Sequence, residues 1–271
     1  MLARRTFMTG AGAMSVLIVA RPASARAPFA WPDGRRGAVS LTYDDGLDSQ
    51  LANVVPALAS LGLKATFFIT EENMDERRAD WVAVGRDGHE IADHTVSHPC
   101  KLSKYTADAF RDQELAPMER YLDANFGAAP PRDYAYPCGF MKLGKGSTPQ
   151  QLARYRSLMA GTFAAARIVN GEPNDPRLVV HDRYQLHAFE PTYDKDDPRG
   201  AYAYIDKAVQ KGAWAILVFH EVLEKRVGDG DTSIGVHQAI LDRIVKAPVW
   251  CAPMSTVFNY VAGAGVTVAK G

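Results

Sequence analysis

Cysteine is scarce in this 271-residue chain: Cys100, Cys138 and Cys251 are the only three. That count excludes a disulfide-built scaffold, and a chain of this length can bury a core that needs no covalent staples. Net charge is missing as well, since 31 Lys and Arg balance 31 Asp and Glu. No basic tract offers an electrostatic footprint for nucleic acid, so no such partner is expected. An apolar stretch from about Ala11 to Ala20 is short for a membrane span. Internal repeats, low-complexity tracts and long linkers are absent too, which favours one domain. What is present, 47% apolar and 23% charged residues, is ordinary globular composition.

The first 27 residues, MLARRTFMTGAGAMSVLIVARPASARA, combine a basic start, that apolar stretch and a small-residue exit near Ala23 to Ala27. This is the layout of a cleaved export signal. Arg4-Arg5-Thr6-Phe7-Met8 resembles the twin-arginine type. The alternative, an uncleaved anchor, calls for a longer apolar run. Residues 1–27 are therefore expected to be removed, leaving residues 28–271 periplasmic or extracellular with no stable membrane span. Cleavage after Ala27 removes four arginines and no acids, giving the mature chain a formal charge of −4. A twin-arginine route carries folded proteins. In an oxidising compartment one cysteine pair can join. Cys100 and Cys138, each beside a motif described below, are the expected pair; three small buried thiols are the alternative.

Strand-like runs at 37–45, 64–70, 89–95, 133–139, 164–169, 178–180, 213–222 and 249–254 alternate with helix-like segments. The clearest helices are 51–61 with Asn53 as a cap, a turn of helix ending near Gly88, 106–126 and 200–212. This alternation predicts repeated βα units, a largely parallel sheet and a single α/β domain. In a parallel barrel, functional groups collect where strands end at the C-terminal face. Those ends carry Asp44 and Asp45, then His94 and His98, then Pro137 to Gly139, and finally His220 and Glu221.

The residue types at those ends suit metal-assisted hydrolysis. His94 and His98, four apart, face one side of a helical turn and can grip a single cation. Adding one strand-end Asp completes a two-His, one-carboxylate set that leaves a position open. The neighbouring Asp, freed from strict alternation by Gly46, can stay ionised beside the cation and serve as a general base. Taken alone, the Asp-Asp-Gly run also fits plain turn chemistry.

Thr42-Tyr43-Asp44-Asp45-Gly46, His94-Thr95-Val96-Ser97-His98-Pro99, Tyr136-Pro137-Cys138-Gly139 and Leu217-Val218-Phe219-His220 occur in one order and spacing. With KATFF after the first helix and GHEIADHT before the histidines, residues 37–260 resemble the polysaccharide deacetylases, carbohydrate esterases with the nodulation-protein-type (NodB) deacetylase domain. The resemblance implies a distorted (β/α) barrel with fewer than eight strands, forming a single catalytic domain. It implies Asp45, His94 and His98 as ligands of a divalent metal, most often zinc, and Asp44 as general base. His220 would be the general acid, the Cys138 N–H an oxyanion donor, and Leu217 the lining for the acetyl methyl. Tyr136, Pro137 and Gly139 would border the substrate, an acetylated poly- or oligosaccharide that loses N-acetyl or O-acetyl groups.

The match has two gaps. The family's arginine that orients the base is replaced by Ala135, leaving Arg132, Arg167 or Arg183 to supply it from elsewhere. The acid that supports the catalytic histidine is undefined, with Asp182 and Asp206 as candidates. Glu221 should face away from His220. His89, His181, His187 and His237 read as structural or solvent-facing. Trp81, Tyr136, Phe140 and Tyr193 could stack on sugar rings, although packing is the plainer reading of each. A non-catalytic carbohydrate-binding member would lack one of Asp44, Asp45, His94, His98 or His220, and all five are present. An iron oxygenase shares the ligand types, but its usual H-x-D…H order differs and it needs no adjacent base.

Overall fold

The computed structural model describes residues 29–128, 130–145, 148–193 and 195–263; the expected export signal lies outside them. Nine strands are found among the described residues. They are β1 (Gly37–Asp45), β2 (Thr66–Ile69), β3 (Glu90–Asp93), β4 (Tyr134–Ala135), β5 (Ala166–Arg167), β6 (Trp214–Phe219), β7 (Val222–Leu223), β8 (Thr232–Ser233) and β9 (Val249–Cys251). Seven form one parallel sheet in the order β5-β4-β3-β2-β1-β6, with β9 also pairing β1. The short β7 and β8 pair separately. The architecture is a distorted (β/α) barrel, α/β and of one domain. None of the described helices is long and apolar enough to cross a membrane.

Alternation along β1 explains the two layers of core. Val39, Leu41 and Tyr43 pack with Leu217 and Phe219 against the helices Arg199–Lys211 and Ile234–Lys246. Ala38 joins Trp214, Ile216 and Val218 in the second cluster, with Phe68, Ala135, Leu186 and Ala188. The inward row of β1 continues through buried Ser40 and Thr42 to Asp44.

Several sequence expectations need correction. Residues 178–180 form turns, and no strand lies there. The strand expected over 213–222 stops at Phe219, so His220 and Glu221 sit in a break before β7. Asn53 does not cap a helix. It lies in a π-turn, Gln50–Val54, and its amide donates to the Val222 carbonyl at 2.7 Å. The same π-turn aims the Gln50 amide at the carbonyls of Asp44 (2.6 Å) and His220 (3.1 Å), tying the ends of β1 and β6 together. The helix expected over 106–126 likewise contains a π-turn, Arg111–Leu115.

The unforeseen element is the segment 186–189. Leu186 bridges Arg167 of β5 and Phe189 bridges Leu217 of β6, both in parallel sense. Two such contacts join the outer strands of the sheet and close the barrel. The next residue, Glu190, therefore emerges at the same C-terminal rim as the ends of β1, β3 and β4.

Buried carboxyls give this fold a pH signature. Burial, reinforced by neighbouring Glu90, holds the Asp133 pKa well above the usual carboxylate value. The folded chain therefore retains a proton that the unfolded chain loses near pH 3.9. The associated stability is complete below that pH and is lost as pH rises through the raised folded value. Denaturant titrations across pH should show this fall. Asp133→Asn should remove one proton's share of the slope, about 1.4 kcal/mol per pH unit.

Candidate active site and metal centre

The C-terminal rim opens into a cavity of about 1180 Å³, whose lining includes Asp44, Asp45, His94, His98, Cys138, Glu190 and His220. Six non-glycine residues among those described have positive φ, and four of them, Asp45, His98, Cys138 and Asn170, line this cavity. A fifth, Thr95 (φ 72°), lies between the two histidines. Left-handed backbone at such residues costs about 1–3 kcal/mol each and collects where a function requires it. Asp45 is the clearest case. Its φ of 77° breaks strand alternation, so it shares the cavity with inward-facing Asp44.

His94 and His98 are brought together by a loop rather than by the expected helical turn. His94 directly follows β3, and the backbone at Thr95 and His98 reverses through positive φ. The rings lie 4.7 Å apart between centroids, and both Nε2 atoms stand 3.6 Å from Asp45 Oδ1. Nδ1 of His94 donates to the Ala135 carbonyl at 2.9 Å, which fixes Nε2 as the atom with the free lone pair. That Nε2 is buried without a hydrogen-bond partner, an orphan that a cation would satisfy. Burial, the main cause, lowers the His94 pKa and keeps the ring neutral, as a ligand must be. Asp45, His94 and His98 are thus a set that could hold a divalent metal.

Asp44 is held differently. Its Oδ1 accepts from Nη2 of Arg167, a guanidinium with no exposed surface. Phe68 lies under that guanidinium, 4.7 Å from carbon to ring centroid. Ala135 and Arg167 are register partners on β4 and β5. Of the three candidate arginines, Arg167 therefore takes the place opened by Ala135, entering from the adjacent strand. Arg132 instead pairs with Glu119 (3.0 Å) and Asp123 (2.8 Å), and Arg183 covers the Phe258 ring. Burial alone would raise the Asp44 pKa, but the charges of Arg167 and His220 and the Arg167 hydrogen bond hold it below the usual range.

His220 receives its partner from the closing segment. Glu190 Oε1 lies 3.1 Å from His220 Nδ1. Burial opposes the charged ring, but the Glu190 carboxylate beside Nδ1 and the charges of Asp44 and Asp45 push its pKa up to about 9. Asp182 and Asp206 do not fill this role: Asp182 borders a different hollow, and Asp206 is ion-paired with Arg243 on the outer helices. Glu221 also lines the cavity rather than facing away, and its carboxylate accepts from the Ser49 hydroxyl.

The remaining expected residues divide clearly. Cys138 (φ 54°) and Gly139 line the cavity, and Cys138 is joined to Cys100 by a disulfide with a Cα–Cα distance of 5.6 Å. Leu217 and Pro137 are buried and do not line it. Leu217 points into the helix-side core because it sits on the outer row of β6. Tyr136 contributes to the wall, but it is nearly buried and its hydroxyl donates to the Tyr184 carbonyl. Phe140 and Tyr193 stand exposed on the cavity rim, while Trp81 is packed in the core. His89 and His237 are buried with pKa values lowered by burial to about 4, which fits structural roles.

If Arg167 supports Asp44 through this register, truncation should cost about 3–5 kcal/mol by leaving a buried carboxylate unpaired. Arg167→Ala should therefore lower the free energy of chemical denaturation by that amount. Adding Ala135→Arg should recover part of it, because paired residues on adjacent strands present their side chains to one face.

Comparison with known proteins agrees with this geometry. Residues 32–151 match the model of the polysaccharide deacetylase family. A peptidoglycan-N-acetylglucosamine deacetylase of Bacillus cereus is 32% identical over 113 residues, 38% of this chain and 40% of that protein. The chain thus spans well under two thirds of that relative. A Mycobacterium smegmatis protein proposed to be a polysaccharide deacetylase shares the fold with a TM-score of 0.66 at 20% identity, over 89% of this chain and 95% of that one. The catalytic domain of a Eubacterium rectale peptidoglycan N-acetylglucosamine deacetylase superposes with a TM-score of 0.56 at 18% identity, over 86% and 94%. Residues 32–151, somewhat under half of the chain, thus resemble the polysaccharide deacetylase family, and the chain as a whole is similar in fold to the solved structures.

Proposed function

We propose that this protein is a metal-dependent hydrolase that removes N-acetyl groups from a poly- or oligosaccharide, with O-acetyl esters within reach of the same chemistry. The observation that carries the reading is the division of labour between adjacent carboxylates. Asp45 faces two imidazoles, while Arg167 holds Asp44 apart and ionised. Asp45, His94 and His98 would hold a divalent cation, zinc by family resemblance, which would supply Lewis-acid chemistry at the acetyl carbonyl and acidify water.

The protein's own groups do the rest. Asp44 accepts the proton of the attacking water, and its lowered pKa keeps it available as a base. The Cys138 N–H donates to the oxyanion as the carbonyl carbon becomes tetrahedral; one such donor contributes roughly 2.7–4 kcal/mol. His220, with Nδ1 engaged by Glu190, donates from Nε2 to the departing nitrogen, so an amine leaves rather than an amide anion. Acetate and a free amino sugar result. The Bacillus cereus relative points to N-acetylglucosamine-containing glycans such as peptidoglycan as the first substrates to test. The twin-arginine-like leader in the sequence supports a reaction outside the cytoplasm.

Acetate release from a panel of acetylated glycans should require metal, vanish on chelation and return with zinc. Asp44→Asn should cost at least about 100-fold in kcat, the scale of general-base catalysis; full activity in that variant would refute the base assignment. On the alkaline side, the rate should fall as His220 loses its proton near pH 9. Glu190→Gln should move that limb to lower pH, toward the ordinary histidine value.

A further inference from the structure

His98 faces two groups at once. Its Nε2 lies 3.6 Å from Asp45 Oδ1, while its Nδ1 lies 3.8 Å from Cys100 Sγ. One donor atom each from His98, Cys100 and Cys138 fall within 4.8 Å of one another, as do those of Asp45, His94 and His98. One imidazole therefore belongs to two three-residue sets. The second set is closed only because its two sulfurs are bonded to each other. His98 and Cys100 are half-buried and Cys138 is exposed, so both a reductant and an ion can approach.

We infer that reducing the Cys100–Cys138 disulfide creates a second metal site, formed by His98 Nδ1 and the two cysteine sulfurs. A dithiol delivers two electrons and two protons; the sulfur–sulfur bond breaks, two thiols form, and the dithiol becomes a disulfide. A divalent ion binding there displaces both thiol protons to solvent. Two sulfurs bound to one zinc at about 2.3 Å stand roughly 3.8 Å apart. The 5.6 Å Cα separation permits that spacing. Thiolate ligands favour a softer ion such as zinc over the carboxylate-containing set. Of these two sets, the oxidised protein keeps Asp45, His94 and His98 open to the ion, so the disulfide directs metal to the cavity. The new site stands without any assumption about the reaction; only its effect on turnover rests on the deacetylase reading.

Cobalt(II) distinguishes the sets, because thiolate ligation adds an intense near-ultraviolet charge-transfer band that oxygen and nitrogen ligands do not give. The full chain is titrated with cobalt(II) before and after reduction by a water-soluble phosphine, which takes its oxygen from water and leaves both protons on sulfur. The band should appear only after reduction and saturate at one ion per chain. It should be lost in Cys100→Ser and retained in Cys251→Ser. Absence of the band in the reduced wild-type chain overturns the proposal, as does its persistence in the Cys100→Ser, Cys138→Ser double variant. Neither reading depends on acetate release, so failure of the deacetylase assignment would be seen separately. With one equivalent of zinc, reduction should also lower acetate release several-fold, and reoxidation should restore it.

Discussion

A fully buried guanidinium faces an almost fully buried carboxylate at the heart of this structure, and the site depends on that pair. Arg167 and Asp44 together spend desolvation energy that apolar residues would not. Their value is electrostatic: Asp44 stays ionised in surroundings that would otherwise protonate it. With Oδ1 committed to Arg167, its other oxygen stands 3.7 Å from His94 Nε2. Asp44 is thereby anchored behind the cavity, while Asp45, turned by its positive φ, reaches the two imidazoles. Two adjacent carboxylates acquire different surroundings from one ion pair and one backbone dihedral.

Much of this was legible in the sequence. Asp44, Asp45, His94, Cys138 and His220 were marked by polar residues following apolar strand runs, a local signal in a parallel barrel. The family resemblance added roles to positions that the strand-end rule had already singled out. Glu190 and Arg167 were harder to see, for a shared reason. Arg167 works from a two-residue strand, and Glu190 follows a segment held by two isolated bridges. Segments that short carry too little periodicity to read, and their meaning lies in register with distant strands. The run Gln185-Leu186-His187-Ala188 does alternate, and extending it as a strand through Phe189 would have put Glu190 at a strand end. The π-turn at Gln50–Val54 was hidden as well, because Asn53 resembles a cap when its tertiary partner is unknown.

Strain and cross-linking gather at the same rim. Asp45, His98 and Cys138 adopt left-handed backbone without being glycine, and each needs its surroundings to keep it there. The Cys100–Cys138 bond secures two of these three turns to each other. The loop carrying His98 and the turn carrying Cys138 are therefore one covalent unit.

The most direct test of this account is anomalous diffraction at the zinc edge from crystals of the oxidised protein grown with zinc. It predicts one strong peak within bonding distance of an Asp45 carboxylate oxygen and Nε2 of both His94 and His98, with Asp44 still on Arg167. A zinc ion bound by Asp44, or no peak beside these three residues, would contradict it.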